Sequence, residues 1–160
     1  MADAQLGDDV LEVGPGPGMT TDLLSPELAK LTAVEIDGSL AEELASRYVG
    51  SNVEAVHADA MALPFDDHRF TGAVSFTMLH HIPTAELQDQ LFAEVARVLR
   101  PGGLFVASDS VASDELAALH DDDIYNPIDP TGVEARLTAA GFGAVEVRFN
   151  EFGWAAHAAR

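Results

Sequence analysis

Short apolar runs of strand period alternate along this chain with stretches whose apolar residues recur every three or four positions. The first run, Asp9 to Val13, follows a leader, Met1 to Gly7, that has no helical period. Thr20 to Leu31 reads as a helix through Leu23, Leu24, Leu28 and Leu31, with Pro26 expected to kink or split it. A second strand, Leu31 to Ile36, leads to a helix after Gly38, for which Ser39 and Glu42 predict a capping box and Leu40 and Leu44 part of the buried face. Val53 to Ala58 is a third strand, the loop Ala60 to Phe70 follows, and Gly72 to Phe76 is a buried fourth strand. Thr84 caps the clearest helix, which carries Leu87, Leu91, Val95 and Val98 and is stopped by Pro101-Gly102-Gly103. Leu104 to Ser108 is the fifth strand.

Beyond it, Asp109 to Pro130 is polar, with a weak helix around Asp114 to Leu119. Thr131 and Glu134 predict another capping box, opening a helix that ends at Gly141. Val145, Val147 and Phe149 alternate, as do Trp154, Ala156 and Ala158, so the chain closes in a β-hairpin. The expectation is one α/β domain: a doubly wound, mostly parallel seven-stranded sheet ending in an antiparallel hairpin, with right-handed crossovers and helices on both faces. Ligands of such sheets sit at the carboxyl ends of the strands.

The stretch from Val10 to Thr20 carries the first chemistry. Gly14, Gly16 and Gly18 fall at every second position after a strand, so the backbone can bend sharply and pass close to a ligand. Pro15 and Pro17 lack N–H groups, and Glu12 puts a carboxylate beside the loop. A pyrophosphate needs N–H donors and no nearby anion, whereas an ammonium or sulfonium cation is drawn to Glu12. The ligand expected is S-adenosylmethionine rather than NAD, and Met19 stands where the dinucleotide fingerprint has its third glycine.

Charge removes a class of partners. With 27 acidic residues against 8 basic ones the net charge is −19, and no Lys/Arg cluster occurs, so a nucleic acid meets repulsion. No cysteine is present, excluding disulfides and thiolate metal sites. Neither an apolar run of about 18 residues nor a basic-then-apolar amino terminus occurs, so the expectation is a cytoplasmic protein without a membrane span.

Five blocks together carry a resemblance: Glu12-Val-Gly14-Pro-Gly16-Pro-Gly18, Val34-Glu35-Ile36-Asp37, Asp59-Ala-Met-Ala-Leu63-Pro64-Phe65, His80-His81 and Leu99-Arg-Pro101-Gly102-Gly103. In order and spacing the chain resembles the class I S-adenosylmethionine-dependent methyltransferases, with their Rossmann-like fold, and is similar to the small-molecule branch of the ubiquinone and menaquinone enzymes. The resemblance implies that the backbone at Gly14, Gly16 and Gly18 packs on the methionine and ribose parts of the cofactor, with Glu12 at its ammonium. Glu35 accepts from the ribose hydroxyls and Ile36 presses on the adenine. Asp59 accepts from the adenine amino group, the Ala60 N–H serves a ring nitrogen, and Thr77 approaches the methionine end.

On the acceptor side, His80 and His81 follow the fourth strand, as a general base, as a group orienting a hydroxyl, or as residues that fix the loop. Asp109 faces the acceptor or caps the next segment. His120 beside Asp121, Asp122 and Asp123 has the residue types of a metal site but reads as a solvated loop, with a metal the lesser alternative, because adjacent acids do not converge easily on one ion. Tyr125, Phe152 and Trp154 line an acceptor pocket or belong to the core. Family members usually carry helices before the glycine loop that cover the site, and here about nine residues precede the first strand. The lid is expected to be short or missing, leaving an open cleft, a second copy or a partner subunit over the site, or a degenerate scaffold subunit in place of an enzyme. A nucleic-acid methyltransferase is disfavoured by charge and by the lack of an Asn-Pro-Pro-Tyr-type motif after the fourth strand.

Overall fold

The computed structural model describes residues 5–120 and 123–160. In chain order the elements are β1 (Asp9–Val13), α1 (Met19–Leu24), β2 (Lys30–Glu35), α2 (Gly38–Arg47), β3 (Val53–His57), β4 (Phe70–Phe76), α3 (Ala85–Val98), β5 (Leu99–Ser110), α4 (Asp114–Leu119), α5 (Pro130–Ala139), β6 (Val145–Phe149) and β7 (Gly153–Ala159). Seven strands form one sheet in the order β3-β2-β1-β4-β5-β7-β6. The first five are parallel, and β7 runs antiparallel to both β5 and β6. This is the expected Rossmann-like α/β sheet with its terminal hairpin.

Alternation along the strands divides the core. Leu11, Val13, Ala73, Phe105 and Ala107 point to one face, where Leu91, Phe92 and Val95 of α3 and Val133 and Leu137 of α5 cover them. Val10, Leu31, Ala33, Val74 and Val106 form the other face, against Leu24, Leu28 and Tyr48. Because neighbouring strands are parallel and in register, as in Val13 with Val34, Glu35 with His57 and Phe76 with Ser108, the carboxyl ends of β1 to β5 lie along one edge.

Several expectations shift at the ends of elements. The helix read over Thr20 to Leu31 ends at Leu24, a 3₁₀ turn (Ser25–Glu27) containing Pro26 follows, and β2 has begun by Lys30. Proline has no N–H to continue an α-helical ladder. Both capping boxes are displaced by two residues. Asp37, not Ser39, caps α2 by accepting from the Leu40 N–H, and Asp129, not Thr131, caps α5, with Pro130 in its first turn. In each case an aspartate upstream brings a full charge to the positive end of the helix. Thr84 caps α3 as expected, accepting from the Leu87 N–H.

Pro101-Gly102-Gly103 follows the end of α3 but lies inside β5, which begins at Leu99. A register shift between Phe70 and Gly72 absorbs it, with Gly102 at φ +81°. The segment between β3 and β4 is braced by side chains of α3, with Glu94 accepting from the Leu63 N–H and Gln90 donating to the Met61 carbonyl. Arg97 donates to the carbonyls of Leu63 and Phe65 and to the carboxylates of Glu94 and Asp67.

Phe92 is fully buried between the sheet and Arg136, its ring 6.3 Å from that of Phe105. Phe92→Ala is expected to lower unfolding stability by about 3–5 kcal/mol, read from urea denaturation.

Candidate active site

The glycine loop leaves the end of β1 with Gly14, Gly16 and Gly18 at φ +66°, +53° and +83°, a region that L side chains rarely enter. Gly16 faces open space, while a Cβ on Gly14 would overlap the Met78 side chain and one on Gly18 would strike Leu44. The loop is held from both sides. Glu35 Oε2 accepts from the Gly16 N–H at 3.0 Å, and Arg47 donates to the carbonyls of Pro17 and Gly18 at 2.9 and 3.1 Å. The Gly14 N–H bonds to the Val34 carbonyl and the Gly18 N–H to that of Pro15. With prolines at 15 and 17, every N–H from Gly14 to Gly18 is engaged within the protein or does not exist. A pyrophosphate finds no donor here.

A cavity of about 620 Å³ opens against this loop along the carboxyl edge of the sheet. Of the residues singled out from the sequence, Glu12, Gly14, Gly16, Glu35 and Ile36 line it. Asp59, Ala60, Thr77 and His81 do so as well, whereas Gly18 and His80 stand behind the wall. Three acids thus reach one cavity from the ends of successive strands. Glu12 is buried and accepts from the Thr21 hydroxyl at 2.7 Å. Burial pushes its carboxyl up to about 7, with Asp22 adding to the rise and the Thr21 hydrogen bond opposing it. Glu35 joins the glycine loop to the next turn, its other oxygen accepting from the Asp37 N–H at 3.0 Å. Asp59, at the exposed rim, folds its own turn by accepting from the Met61 N–H at 2.9 Å. Thr77, at φ +51°, is one of two non-glycine residues among those described with positive φ. Its N–H bonds to the Ser108 carbonyl at 2.8 Å.

Beyond β4, a 3₁₀ turn (Leu79–His81) carries the histidines. His80 is buried and donates from Nδ1 to Asp109 Oδ1 at 2.6 Å, while its backbone N–H reaches Asp109 Oδ2 at 2.9 Å. Asp109 therefore holds His80 in place, the role the sequence left open. His81 meets Asp123 through Nδ1 at 3.1 Å, and burial, the neighbouring His80 and His120 lower its basicity despite that carboxylate. His120, expected in a solvated loop, is half-buried with its ring 5.1 Å from those of both His80 and His81 and stacked on Tyr125. Asp121 and Asp122 lie outside the described residues. Phe152 and Trp154 do not join Tyr125; they border a separate, shallower depression that also touches Thr77 and Asp109.

Gln88 was not singled out from the sequence, yet it ties this side together. Its buried amide donates to the carbonyls of Leu79 and Asn126 at 3.0 and 2.9 Å. Asn126 in turn donates from its backbone to the His80 carbonyl and from its side chain to that of Ile82. The signal was present: Gln88 falls in the buried stripe with Leu91, Phe92 and Val95, where a polar residue needs partners. Arg47 gave no such signal, because its partners are backbone carbonyls about 30 residues earlier.

The sequence matches the methyltransferase-domain family over residues 11–107, and the chain belongs to that family of S-adenosylmethionine-dependent methyltransferases. An O-methyltransferase of Penicillium expansum is 32% identical over 153 residues, covering 88% of this chain and 54% of that protein. The phthiotriol/phenolphthiotriol dimycocerosates methyltransferase of Mycobacterium tuberculosis is 32% identical over 124 residues, covering 76% and 45%. A probable ribosomal RNA small subunit methyltransferase A of Thermococcus onnurineus is 35% identical over 105 residues, covering 59% and 39%. The chain thus spans between about two fifths and about half of the curated relatives it matches. The fold is shared with phosphoethanolamine N-methyltransferase 2 of Haemonchus contortus, solved with S-adenosyl-L-methionine, at a TM-score of 0.79 and 16% identity over 98% of this chain and 49% of that one.

Glu12 supplies a pH signature. Its folded-state pKa lies above that of an unfolded glutamate, so the native state holds an extra proton between about pH 4.5 and 7. Its contribution is full below that window and is lost as pH rises through it, to about 3 kcal/mol. Glu12→Gln is expected to flatten this slope and to leave the ligand-free protein more stable than wild type at pH 8, measured by denaturant unfolding across pH.

Proposed function

We propose that the chain transfers the methyl group of S-adenosylmethionine to a small or lipophilic acceptor, within the small-molecule branch that resembles the ubiquinone and menaquinone enzymes. The observation that carries this reading is the meeting of Glu12, Glu35 and Asp59 in one cavity beside a loop without free N–H donors. The cavity has the volume of a site for a ligand of cofactor size. Each carboxylate oxygen has two lone pairs, so Glu35 retains acceptor capacity for ribose hydroxyls after serving Gly16 and Asp37, and Asp59 retains an oxygen for an amino group. Ile36, 62% exposed at the cavity wall, offers an apolar surface to a base.

When bound, the cofactor supplies a methyl group already activated by the positive sulfur that departs with the bonding electrons. The protein's part is to place an acceptor in line with that bond and to keep water away. Ile82, Pro83, Leu87, Leu91 and Ile124 give the far side of the cavity an apolar wall, and among the described residues no lysine or arginine lines it. That wall suits a lipophilic or aromatic acceptor and gives a phosphodiester chain no counter-charge, which with the net charge of −19 weighs against RNA. His81 stands at this wall to orient the acceptor, and His80, held by Asp109, positions His81 from behind.

Calorimetric titration tests the reading. S-adenosylmethionine and S-adenosylhomocysteine are expected to bind at micromolar concentration and NAD not to bind. Glu35→Ala is expected to lose at least about 100-fold in affinity, because it removes the acceptor and loosens Gly16 together. A folded protein that binds neither sulfur compound would overturn the proposal.

An ammonium beside Glu12 favours its ionised form, so cofactor binding is expected to release a proton below pH 7. Affinity should rise about tenfold from pH 6 to pH 7.5, and heats measured in buffers of different ionisation enthalpy should report the proton. Glu12→Gln removes both effects.

A further inference from the structure

Three histidines from two segments meet beside the cavity, where His81 forms part of its wall. One ring nitrogen from each of His80, His81 and His120 lies within 4.8 Å of the other two. Their rings are 4.2 and 5.1 Å apart, too close for three protonated imidazoles to coexist without a counter-charge between them. What stands out is the second set of contacts. His80 Nδ1 points at the Asp109 carboxylate at 2.6 Å, His81 Nδ1 at the Asp123 carboxylate at 3.1 Å, and His120 Nδ1 at the Leu116 carbonyl at 2.7 Å. All three partners are oxygen acceptors: the hydrogen bonds to Asp109 and Leu116 put the His80 and His120 protons on Nδ1 and leave their Nε2 lone pairs free, and His81 Nδ1 lies within ion-pair distance of Asp123. An imidazole fixed in this way by a carboxylate or carbonyl is the usual arrangement around a metal-ligating histidine.

We propose that His80, His81 and His120 form a binding site for a divalent transition-metal ion of the zinc class. Imidazole nitrogens suit zinc, cobalt and nickel and disfavour magnesium and calcium, which take oxygen ligands. The Asp109 carboxylate, buried and satisfied by the His80 ring, the His80 backbone and the Ser110 backbone, is a fixed negative charge behind one ligand. Asp123 is a second behind another, so a dication here faces complementary charge on two sides. A tetrahedral zinc places its nitrogens about 3.4 Å apart, following from bonds of about 2.0–2.1 Å. The cluster therefore closes slightly on binding, chiefly through His81, which is partly exposed and held only by its contact with Asp123. His80 is the fixed point, anchored by Asp109 and by the Asn126 N–H on its carbonyl at 2.7 Å. Tyr125 stacks on His120 and limits its ring to a narrow range.

Three protein nitrogens leave a fourth position open, as in catalytic rather than structural zinc sites. His81 also belongs to the wall of the cofactor cavity, so the ion stands beside the place proposed for the acceptor. A hydroxyl or phenol oxygen of the acceptor is the ligand class that fits that position. The metal site itself does not rest on the methyl-transfer reading, and the two fail separately.

Titration of the chelator-treated chain with Zn²⁺ by calorimetry, and with Co²⁺ under visible absorption, tests the site. One ion per chain at micromolar or lower concentration, with the intense visible bands of four-coordinate Co²⁺ and no competition from millimolar Mg²⁺, is expected. His120→Ala and His81→Ala should each weaken Zn²⁺ binding by about 100-fold or more, and Asp123→Asn, which removes only the charge behind His81, by about 10-fold. Circular dichroism verifies that each variant is folded, and His157→Ala, on the distant hairpin, should bind as wild type. Zn²⁺ binding of unchanged strength in His120→Ala would assign the ion to the acidic surface and overturn the proposal. So would the absence of Zn²⁺ binding at 100 μM.

Discussion

The site depends on how a glycine loop is held still. Three left-handed residues in five give the chain from Gly14 to Gly18 a shape it has no local reason to keep, since its two prolines remove donors that would otherwise tie it down. Two charged side chains supply the restraint from opposite sides. Glu35 takes the Gly16 N–H, and Arg47 takes the Pro17 and Gly18 carbonyls while pairing with Asp22. The loop is thus fixed by groups on β2 and α2, and the cavity exists where β1, β2 and the loop between them close on one another.

The same arrangement explains the ligand preference. From Gly14 to Gly18 the loop has no free N–H group to offer a negative ligand, and Glu12 adds a carboxylate beside it. What the loop offers is close backbone approach at Gly16 and carboxylates on three sides. Methyl transfer from a cationic sulfur needs such surroundings, because the reacting group arrives charged and the protein must solvate it, align it and keep it dry.

Much of this was legible in the sequence, for reasons that also mark where reading fails. The strands and α3 show because burial imposes a period, and Glu12, Glu35 and Asp59 show because parallel strands bring their carboxyl ends to one edge. The caps of α2 and α5 were misplaced because Ser39 with Glu42 and Thr131 with Glu134 have the right residue types, while the charged Asp37 and Asp129 compete from two positions upstream. Pro101-Gly102-Gly103 looked like a boundary and is a bulge, because a register shift is a property of two strands and is written in neither alone. The gathering of His120 with His80 and His81 was hidden for a similar reason. His120 has acidic neighbours in sequence, but its neighbours in space come from a turn some 40 residues earlier.

That turn and the segment carrying Asn126 are joined through the amide of Gln88, which holds a carbonyl from each. The two segments on that side of the cavity are consequently tied to each other through α3, and neither moves without drawing the other along. A single buried glutamine thereby couples the turn after β4 to the segment after α4.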